Sequence, residues 1–210
     1  MKYGILWDLD GTLLNTLEDL ADGVNHALTV FGYPERTLAE VRRFVGNGAG
    51  RLIALAVPEG ADPEPVLAEF QRFYRDHCRI KTGPYAGIME ALEALGREYS
   101  MAIVSNKPHG AVQALCADYF PGIPAWGEAP GCPRKPAPDM VRRAMEALGV
   151  ERCVYVGDSE VDIVTAENAG VPCLSVTWGF RDLPELEAAG GTCFCHTPGE
   201  IKDKITTLMR

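Results

Sequence analysis

The sequence predicts an α/β fold, a doubly wound parallel sheet that is interrupted near its start by an inserted all-helical segment. Three observations lead to this prediction. An apolar run of strand length, Tyr3–Trp7, opens the chain and ends at Asp8. Between about residues 15 and 79 the apolar residues recur at helical spacing only. From residue 81 onward, strand-like runs alternate with helical patterns, which is typical of a parallel sheet with helices on both faces.

The first strand is followed by a pair of carboxylates. Asp8 and Asp10 come directly after Tyr3–Trp7, and Asp and Gly are poor strand residues, so we expect the strand to end there. In an open α/β sheet, ligands bind at the edge where the strands end. Two aspartates one residue apart repel each other unless a cation or a proton lies between them. The sequence therefore predicts a functional site at this edge.

The predicted helical segment, residues 15–80, is called the helical insert below. Its first helix carries apolar residues from Leu17 to Phe31, and Asn15 with Glu18 is predicted to cap it. Three further helices are expected around Leu38–Phe44, around Leu52–Leu55 and after Pro63, and the run Gly46-Asn47-Gly48 separates the second from the third. We expect the hinges of the insert near Leu14–Thr16 and Lys81–Pro84.

The remaining residues, 1–14 and 81–210, are predicted to form one α/β domain. Further strands are predicted at Met101–Ser105, Cys153–Val156, Pro172–Val176 and Thr192–Cys195. Helices are predicted at Ile88–Tyr99, Ala111–Tyr119, Pro138–Leu148, Ile163–Ala169 and Glu200–Met209.

Composition restricts the class of protein. The 210 residues include 20 Lys and Arg and 29 Asp and Glu, a net charge of −9, which argues against a nucleic-acid or membrane-surface binder. The seven cysteines are scattered without a CxxC pair, so we expect buried, reduced thiols. No signal peptide or membrane-spanning run is visible, and the expected location is the cytoplasm. We expect a monomer or a homodimer.

Further polar residues follow the later strands. Ser105 and Asn106 come after the second predicted strand, Lys135 precedes a helix, and Asp158 and Asp162 come after the strand at Cys153–Val156. Taken singly, these are ordinary turns, helix caps or a surface lysine. Because parallel strands end at one edge, we expect their side chains to converge with Asp8.

The predicted set of side chains suits a metal ion and a phosphate group. Carboxylate oxygens with room for water are ligands that Mg²⁺ prefers. A lysine, a hydroxyl and free loop amides beside that metal suit a phosphate dianion. The expected partner is therefore a small phosphorylated metabolite.

The chain resembles the haloacid dehalogenase superfamily in four motifs: Asp8-Leu9-Asp10-Gly11-Thr12-Leu13, Ser105-Asn106, Lys135-Pro136 and Gly157-Asp158 with Asp162. It is similar to the phosphoglycolate phosphatase-like branch, with its helical cap, in Phe44–Ala49, Arg134–Asp139 and Thr177–Arg181. The resemblance implies a Rossmann-like core. Asn15 stands where relatives commonly carry Asp, which puts in doubt a role for charge there in placing the cap.

The resemblance implies a role for each motif. Asp8 would be the nucleophile that forms an aspartyl-phosphate, and Asp10 would protonate the leaving oxygen and then activate water. Mg²⁺ would be held by Asp8, the main-chain carbonyl of Asp10 and Asp158, with Asp162 orienting these ligands.

The phosphate group and the leaving group are assigned to two further sets of residues. The resemblance implies that the transferring phosphoryl group binds Thr12, Ser105, Asn106 and Lys135. In the insert, the expected specificity residues are Gly46, Asn47 and Gly48, whose loop could equally be a plain helix–helix turn. Arg51 could pair with a substrate carboxylate or could face solvent.

Several functions are compatible with these residues. The leading hypothesis is a Mg²⁺-dependent phosphatase for a small phosphomonoester, with 2-phosphoglycolate the best candidate. A pyrophosphatase, a sugar phosphatase and a phosphomutase are alternatives of the same fold. A non-catalytic binding module is a remote alternative, because Asp8, Asp10, Ser105, Lys135 and Asp158 are all present. A dehalogenase is disfavoured, since displacing a halide needs no acid such as Asp10.

Overall fold

The computed structural model describes residues 2–209. Its strands are β1 (Tyr3–Trp7), β2 (Leu14–Asn15), β3 (Gly83–Pro84), β4 (Ser100–Pro108), β5 (Ala125–Glu128), β6 (Arg152–Gly157), β7 (Cys173–Val176) and β8 (Phe194–Cys195). Its α-helices are α1 (Leu17–Val30), α2 (Leu38–Phe44), α3 (Gly48–Ala56), α4 (Pro63–His77), α5 (Ile88–Gly96), α6 (His109–Tyr119), α7 (Asp139–Leu148), α8 (Glu160–Ala169), α9 (Leu183–Ala188) and α10 (Ile201–Leu208). A single 3₁₀ turn, Pro198–Glu200, precedes α10 within the described part of the chain.

Six of the strands form one parallel sheet in the order β5-β4-β1-β6-β7-β8. Strand β1 lies inside the sheet and pairs in parallel with β4 on one side and β6 on the other. The chain thus continues outward in opposite directions from β1, and the crevice at such a switch point is where ligands bind in open α/β sheets. The predicted parallel sheet is confirmed.

Helices cover both faces of this sheet. Successive strand residues point to opposite faces, so the strands contribute side chains to two separate buried clusters. Leu6 and Tyr155 belong to a buried cluster with Met140 and Val141 of α7. Their neighbours Ile5, Trp7 and Val154 pack on the other face in the larger buried cluster, which also contains residues of α5, α6 and α10 and of the insert helices. Burial on both faces explains why the strands read as continuous apolar runs.

The predicted elements of the α/β domain are confirmed, with shifts at their ends. Strand β4 extends three residues beyond the predicted end, and α8 begins at Glu160, earlier than predicted, because Ser159 and Asp162 form a capping box. Strand β5 and helix α9 were not predicted. Both are short, with four and six residues.

The helical insert contains the four predicted helices, α1 to α4, between β2 and β3. These two short strands pair antiparallel at the place where the hinges are expected. The predicted cap of α1 is wrong, since Thr16 occupies the N-cap position without a side-chain bond. Asn15 instead lies in β2, where its side-chain oxygen accepts a long hydrogen bond of 3.4 Å from the Leu17 amide. The division into residues 1–14, 15–80 and 81–210, and the hinges, stay predictions.

Asp19 ties the first insert helix to the segment that leads back into the sheet. Its carboxylate is 2% exposed and accepts hydrogen bonds from the main-chain amides of Ile80, Lys81 and Thr82, at distances between 2.9 and 3.1 Å. A charged acceptor that satisfies three amides fixes the geometry of this segment. No sequence motif indicated this role.

Replacing Asp19 with alanine is expected to lower the free energy of unfolding by about 1–3 kcal/mol, because buried amides lose their acceptor. Chemical denaturation followed by circular dichroism measures the loss. Asp22→Asn is the matched control, since the Asp22 side chain is half exposed and its one ion pair among residues 2–209 is with Lys81. Equal midpoints for the Asp19 and Asp22 variants would contradict the assignment.

The seven cysteines are free thiols, as predicted, and four of them are buried. Burial raises the pKa of Cys116, Cys153 and Cys195 to about 12, so these thiols stay protonated at neutral pH. None of the helices in residues 2–209 has both the length and the apolar character needed to cross a membrane.

Candidate active site

The candidate active site is a cavity of about 50 Å³ between the carboxyl edge of the sheet and the helical insert. Six residues that the sequence singled out meet in its wall on the sheet side: Asp8, Asp10, Ser105, Asn106, Lys135 and Asp158. The insert contributes a mostly apolar wall, which includes Leu20, Leu52 and Phe70. The predicted convergence of separate motifs at one sheet edge is thus observed.

Asp8 lies where β1 ends, and its main-chain amide is held by a 2.8 Å hydrogen bond to the Val156 carbonyl of β6. Its side chain is buried, and Oδ1 forms an ion pair with Lys135 Nζ at 2.9 Å. Burial raises the pKa of Asp8 to about 7, although the nearby Lys135 ammonium opposes the rise. Asp8 Oδ1 is buried, and among the described residues it has no polar partner other than the Lys135 ammonium.

Lys135 supplies positive charge at the base of the cavity. Its side chain is 2% exposed, and Nζ donates to Asp162 Oδ1 at 2.7 Å and to the Tyr155 hydroxyl at 3.0 Å. Burial alone would lower the pKa of Lys135, but the carboxylates of Asp162 and Asp8 raise it well above its ordinary value. The two carboxylates thus favour the charged ammonium and hold it in place.

Three buried carboxylates, Asp8, Asp158 and Asp162, offer oxygens within 4.8 Å of one another. Burial raises the pKa of Asp158 well above its ordinary value, and the charges of Asp162 and Asp8 add to the rise. Such a cluster is stabilised by a cation, and oxygen donors suit a hard divalent ion. Asp8 Oδ1, whose one polar partner among the described residues is Lys135, also fits this interpretation. The cluster could bind a metal ion.

Asp162 is engaged by protein donors on both oxygens, and Lys135 Nζ is the donor to Oδ1. Oδ2 accepts from the amides of Asp158 and Ser159 at 3.2 and 3.1 Å and from the Ser159 hydroxyl at 2.7 Å. Asp162 does not line the cavity. Its geometry is that of a residue that positions Asp158, the role expected for it.

Thr12 contacts Asp158 and lies outside the cavity wall. Its side chain is completely buried, its hydroxyl donates to Asp158 Oδ1 at 3.1 Å, and it does not line the cavity. The loop that carries Thr12 turns through Gly11, which has a φ of +83°; a Cβ there would lie 2.3 Å from an Asp158 oxygen. Thr12 and Gly11 therefore allow this loop to pack directly against Asp158.

Ser105 and Asn106 both lie in the cavity wall, but their side chains differ in how many protein contacts they make. The Ser105 hydroxyl accepts one long hydrogen bond, of 3.3 Å, from the Lys107 amide. The Asn106 amide is fully engaged. Its Oδ1 accepts from the Lys135 amide at 2.7 Å, and its Nδ2 donates to the carbonyls of Lys135 at 2.9 Å and Gly46 at 3.2 Å. Asn106 therefore positions Lys135 and the insert loop, and its side chain is not available to a phosphate.

The expected specificity loop reaches the cavity in part. Gly46 and Gly48 line it, whereas Asn47 and Arg51 do not. Gly48 has a φ of +80°, and a Cβ there would lie 3.1 Å from Glu128 Oε2. Glycine at this position therefore allows the insert loop to lie close to Glu128. Arg51 is exposed. Of the two possibilities considered for Arg51, the structure shows the one in which it faces solvent.

Comparison with known proteins places this site in a family. The profile of the haloacid dehalogenase-like hydrolase family matches residues 5–176. The chain belongs to this family. The resemblance found in the four motifs is therefore confirmed.

Relatives of this hydrolase are similar along most of their length. It is 37% identical over 198 residues to a phosphoglycolate phosphatase from Rhodobacter capsulatus, covering 88% of each chain. It is 33% identical over 219 residues to a phosphoglycolate phosphatase from Cereibacter sphaeroides (strain ATCC 17025 / ATH 2.4.3), covering 99% of this chain and 97% of that protein. A crystal structure from Lactobacillus delbrueckii subsp. bulgaricus superposes with a TM-score of 0.91 at 37% identity, covering 98% and 99% of the two chains.

Two residues of the hydrolase's cavity were missed by sequence reasoning, Lys107 and Tyr74. Lys107 Nζ lies 3.1 Å from Asp10 Oδ1 and donates to the Tyr74 hydroxyl at 2.7 Å. Lys107 directly follows the Ser105-Asn106 motif, and this adjacency to a predicted strand end was a usable signal. No sequence signal marked Tyr74, because a tyrosine on the apolar face of a helix is usually a core residue.

Arg181 was also missed, although its motif was noted. Its guanidinium pairs with Glu160 at 2.8 Å and donates to the main-chain carbonyls of Arg42 at 3.1 Å and Val45 at 2.9 Å. These carbonyls lie at the C-terminal end of α2, where helix carbonyls lack partners and a cation is favoured. Arg181 thus fastens the end of α2, and the loop that follows it, to the sheet side of the cavity.

Proposed function

We propose that this hydrolase is a Mg²⁺-dependent phosphatase that cleaves 2-phosphoglycolate through an aspartyl-phosphate intermediate. The observation that carries the proposal is the buried Asp8 carboxylate at the strand end, facing the cavity with Lys135 Nζ 2.9 Å away. The substrate is taken from the similar proteins, because those from R. capsulatus and C. sphaeroides are phosphoglycolate phosphatases.

The first half of the reaction transfers the phosphoryl group to Asp8. A carboxylate oxygen of Asp8 attacks phosphorus, and the bond from phosphorus to the ester oxygen breaks. The Lys135 ammonium and the Ser105 hydroxyl, both in the cavity wall, stabilise the charge on the phosphoryl oxygens. A proton on the Asp10 carboxyl passes to the ester oxygen, so glycolate leaves as a neutral alcohol at that position.

The second half regenerates the enzyme. Asp10, now ionised, takes a proton from a water molecule whose oxygen attacks phosphorus, and the bond to Asp8 breaks to release inorganic phosphate. Lys107 Nζ, 3.1 Å from Asp10 Oδ1, keeps this side chain in position for both proton transfers. Leu20, Leu52 and Phe70 of the insert cover the site and limit the access of other water.

Asp8, the main-chain carbonyl of Asp10 and Asp158 are the residues that would hold Mg²⁺. When bound, the ion would neutralise charge shared between the carboxylates and the phosphoryl oxygens. Asp158 is prepared for this role by hydrogen bonds from the Thr12 hydroxyl at 3.1 Å and the Phe180 amide at 2.7 Å. Asp162 keeps the Asp158 main chain in position, as described above.

A phosphate-release assay tests the proposal. The purified protein is expected to release phosphate from 2-phosphoglycolate with Mg²⁺ and to lose this activity in excess chelator, with recovery when Mg²⁺ is restored. Pyrophosphate and sugar phosphates serve as competing substrates. Equal release with and without chelator would contradict the metal requirement. Strong turnover of pyrophosphate or a sugar phosphate, without turnover of 2-phosphoglycolate, would keep the mechanism and overturn the substrate.

A further inference from the structure

Lys107 is a buried cation in the wall of the cavity. It is 5% exposed, and its Nζ contacts Asp10 of the sheet edge and Tyr74 of helix α4. The ammonium also lies over the Tyr74 ring, 4.6 Å from its centroid. The two residues come from opposite walls of the cavity, so Lys107 and Tyr74 form one polar group at the boundary between sheet and insert.

The two lysines of the cavity wall contact different aspartates. Lys135 Nζ lies 2.9 Å from Asp8 Oδ1, the proposed nucleophile. Lys107 Nζ lies 3.1 Å from Asp10 Oδ1 and donates to Tyr74, which belongs to the insert. A substrate whose phosphorus faces Asp8, and whose ester oxygen faces Asp10, therefore places its leaving group against Lys107.

The other two cations of the wall are already engaged. Lys135 pairs with both Asp8 and Asp162, and Arg181 pairs with Glu160 and fills its remaining donors with main-chain carbonyls. Among the described residues, Lys107 has a single carboxylate partner, Asp10. Two of the three contacts of Nζ go to this one carboxylate, at 3.1 and 3.2 Å, and the third goes to Tyr74. A second anion can therefore take over one of the two Asp10 contacts, and burial makes that contact stronger than one in water.

Tyr74 can supply a second donor beside Lys107. Its hydroxyl accepts from Lys107, and within residues 2–209 this is its one hydrogen bond, so its own proton is free to be donated. Burial raises the pKa of Tyr74, which keeps that proton in place at neutral pH. An ammonium and a hydroxyl side by side match the two oxygens of a carboxylate.

We propose that Lys107 and Tyr74 bind the carboxylate of the leaving group, and that they select phosphate monoesters of small 2-hydroxy acids. This inference rests on the proposed phosphatase function. In such an ester the carboxylate is attached to the carbon that carries the ester oxygen, so an ester oxygen at Asp10 brings the carboxylate next to Lys107. The exposed Arg51, the cation considered from the sequence, is replaced in this role by Lys107. Because Tyr74 belongs to α4, the carboxylate contacts sheet and insert together.

The test compares two substrates that differ in one group. The first is 2-phosphoglycolate, and the second is 2-hydroxyethyl phosphate, in which a neutral hydroxymethyl group replaces the carboxylate. The wild-type protein is expected to prefer 2-phosphoglycolate in kcat/KM. Lys107→Met is expected to reduce this preference by about 10- to 100-fold, and Tyr74→Phe by about 2- to 10-fold, mainly through KM for 2-phosphoglycolate.

Two controls separate recognition from folding. Lys202→Met removes an exposed lysine that pairs with Glu98 far from the cavity, and its preference is expected to equal that of the wild type. Lys107→Arg keeps the charge and is expected to retain more of the preference than Lys107→Met. If Lys107→Met does not fold, Tyr74→Phe serves as the test variant. It removes a single oxygen atom, so it is expected to fold.

The outcomes are distinct. A wild type that hydrolyses both esters equally well would overturn the inference and leave the phosphatase function intact. An equal loss on both esters in Lys107→Met would also overturn it, since Lys107 would then act only on Asp10. A wild type that hydrolyses neither ester would refute the proposed function itself, and the inference with it.

Discussion

Replacing Asp8 with asparagine is expected to lower phosphate release by at least about 10³-fold, because the amide cannot serve as the nucleophile. Asparagine has nearly the same shape, and the ion pair of Lys135 with Asp162 is retained, so we expect the variant to fold. Initial rates with saturating 2-phosphoglycolate measure the effect. The control is Asp203→Asn in α10, an exposed carboxylate whose loss is expected to leave the rate unchanged.

The same variant is expected to be more stable than the wild type when metal is removed at pH 8. The pKa of Asp8 is raised from 3.8 to about 7 in the folded protein, so folding favours the protonated form. That stabilisation is fully present below pH 3.8 and is lost as the pH rises through 7. Asparagine has no charge to bury and avoids this loss.

Thermal unfolding in chelator across pH 5 to 8 checks the direction. The melting temperature of the wild type should fall relative to that of Asp8→Asn as the pH rises. Mg²⁺ should stabilise the wild type more than the variant, because the variant lacks one of the proposed ligands. A wild type that is more stable than Asp8→Asn in chelator at pH 8 would contradict the burial argument, and full activity in the variant would refute the nucleophile.

Replacing Lys135 with methionine is expected to remove activity and to lower the free energy of unfolding by about 3–5 kcal/mol at neutral pH. Lys135 is the cation between Asp8 and Asp162, which lie 2.9 and 2.7 Å from its Nζ. Methionine fills a similar volume but leaves both carboxylates buried without that partner. The loss therefore comes from uncompensated charge and not from a cavity.

Urea denaturation measures this effect, with Lys202→Met as the matched control. Lys202 and Glu98 are about half exposed, and such a pair contributes less than about 1 kcal/mol. The double variant Lys135→Met with Asp162→Asn should regain part of the lost free energy of unfolding, since it removes one of the two buried carboxylates that have lost their cation. Equal urea midpoints for Lys135→Met and the wild type would show that the ion pairs do not stabilise the fold.

The sequence predicted the sheet well because its strands are buried on both faces. Their apolar runs are unmistakable against the helical patterns between them. Strand β5, Ala125–Glu128, was not predicted because it is a four-residue edge strand that contains Gly127. Helix α9 was not predicted because six residues are too few to show helical periodicity.

The candidate site was predicted where residue types have strong local signatures. Asp8, Asp10, Ser105, Lys135 and Asp158 were named from motifs at strand ends, and all five lie in one cavity. Their roles in catalysis and metal binding stay predictions. The contacts of Thr12, Asn106 and Arg51 could not be predicted, because adjacency in the chain does not show which way a side chain points.

Tertiary structure alone decided which groups face each other across the cavity. Lys107 and Tyr74 are 33 residues apart and meet only because α4 packs over the end of β4. Arg181 meets the end of α2 from 136 residues away in the chain. Local sequence sets where strands end, and therefore where the first carboxylates stand. The partner of a buried charge is set by packing, since it depends on which distant side chains share its low-dielectric surroundings.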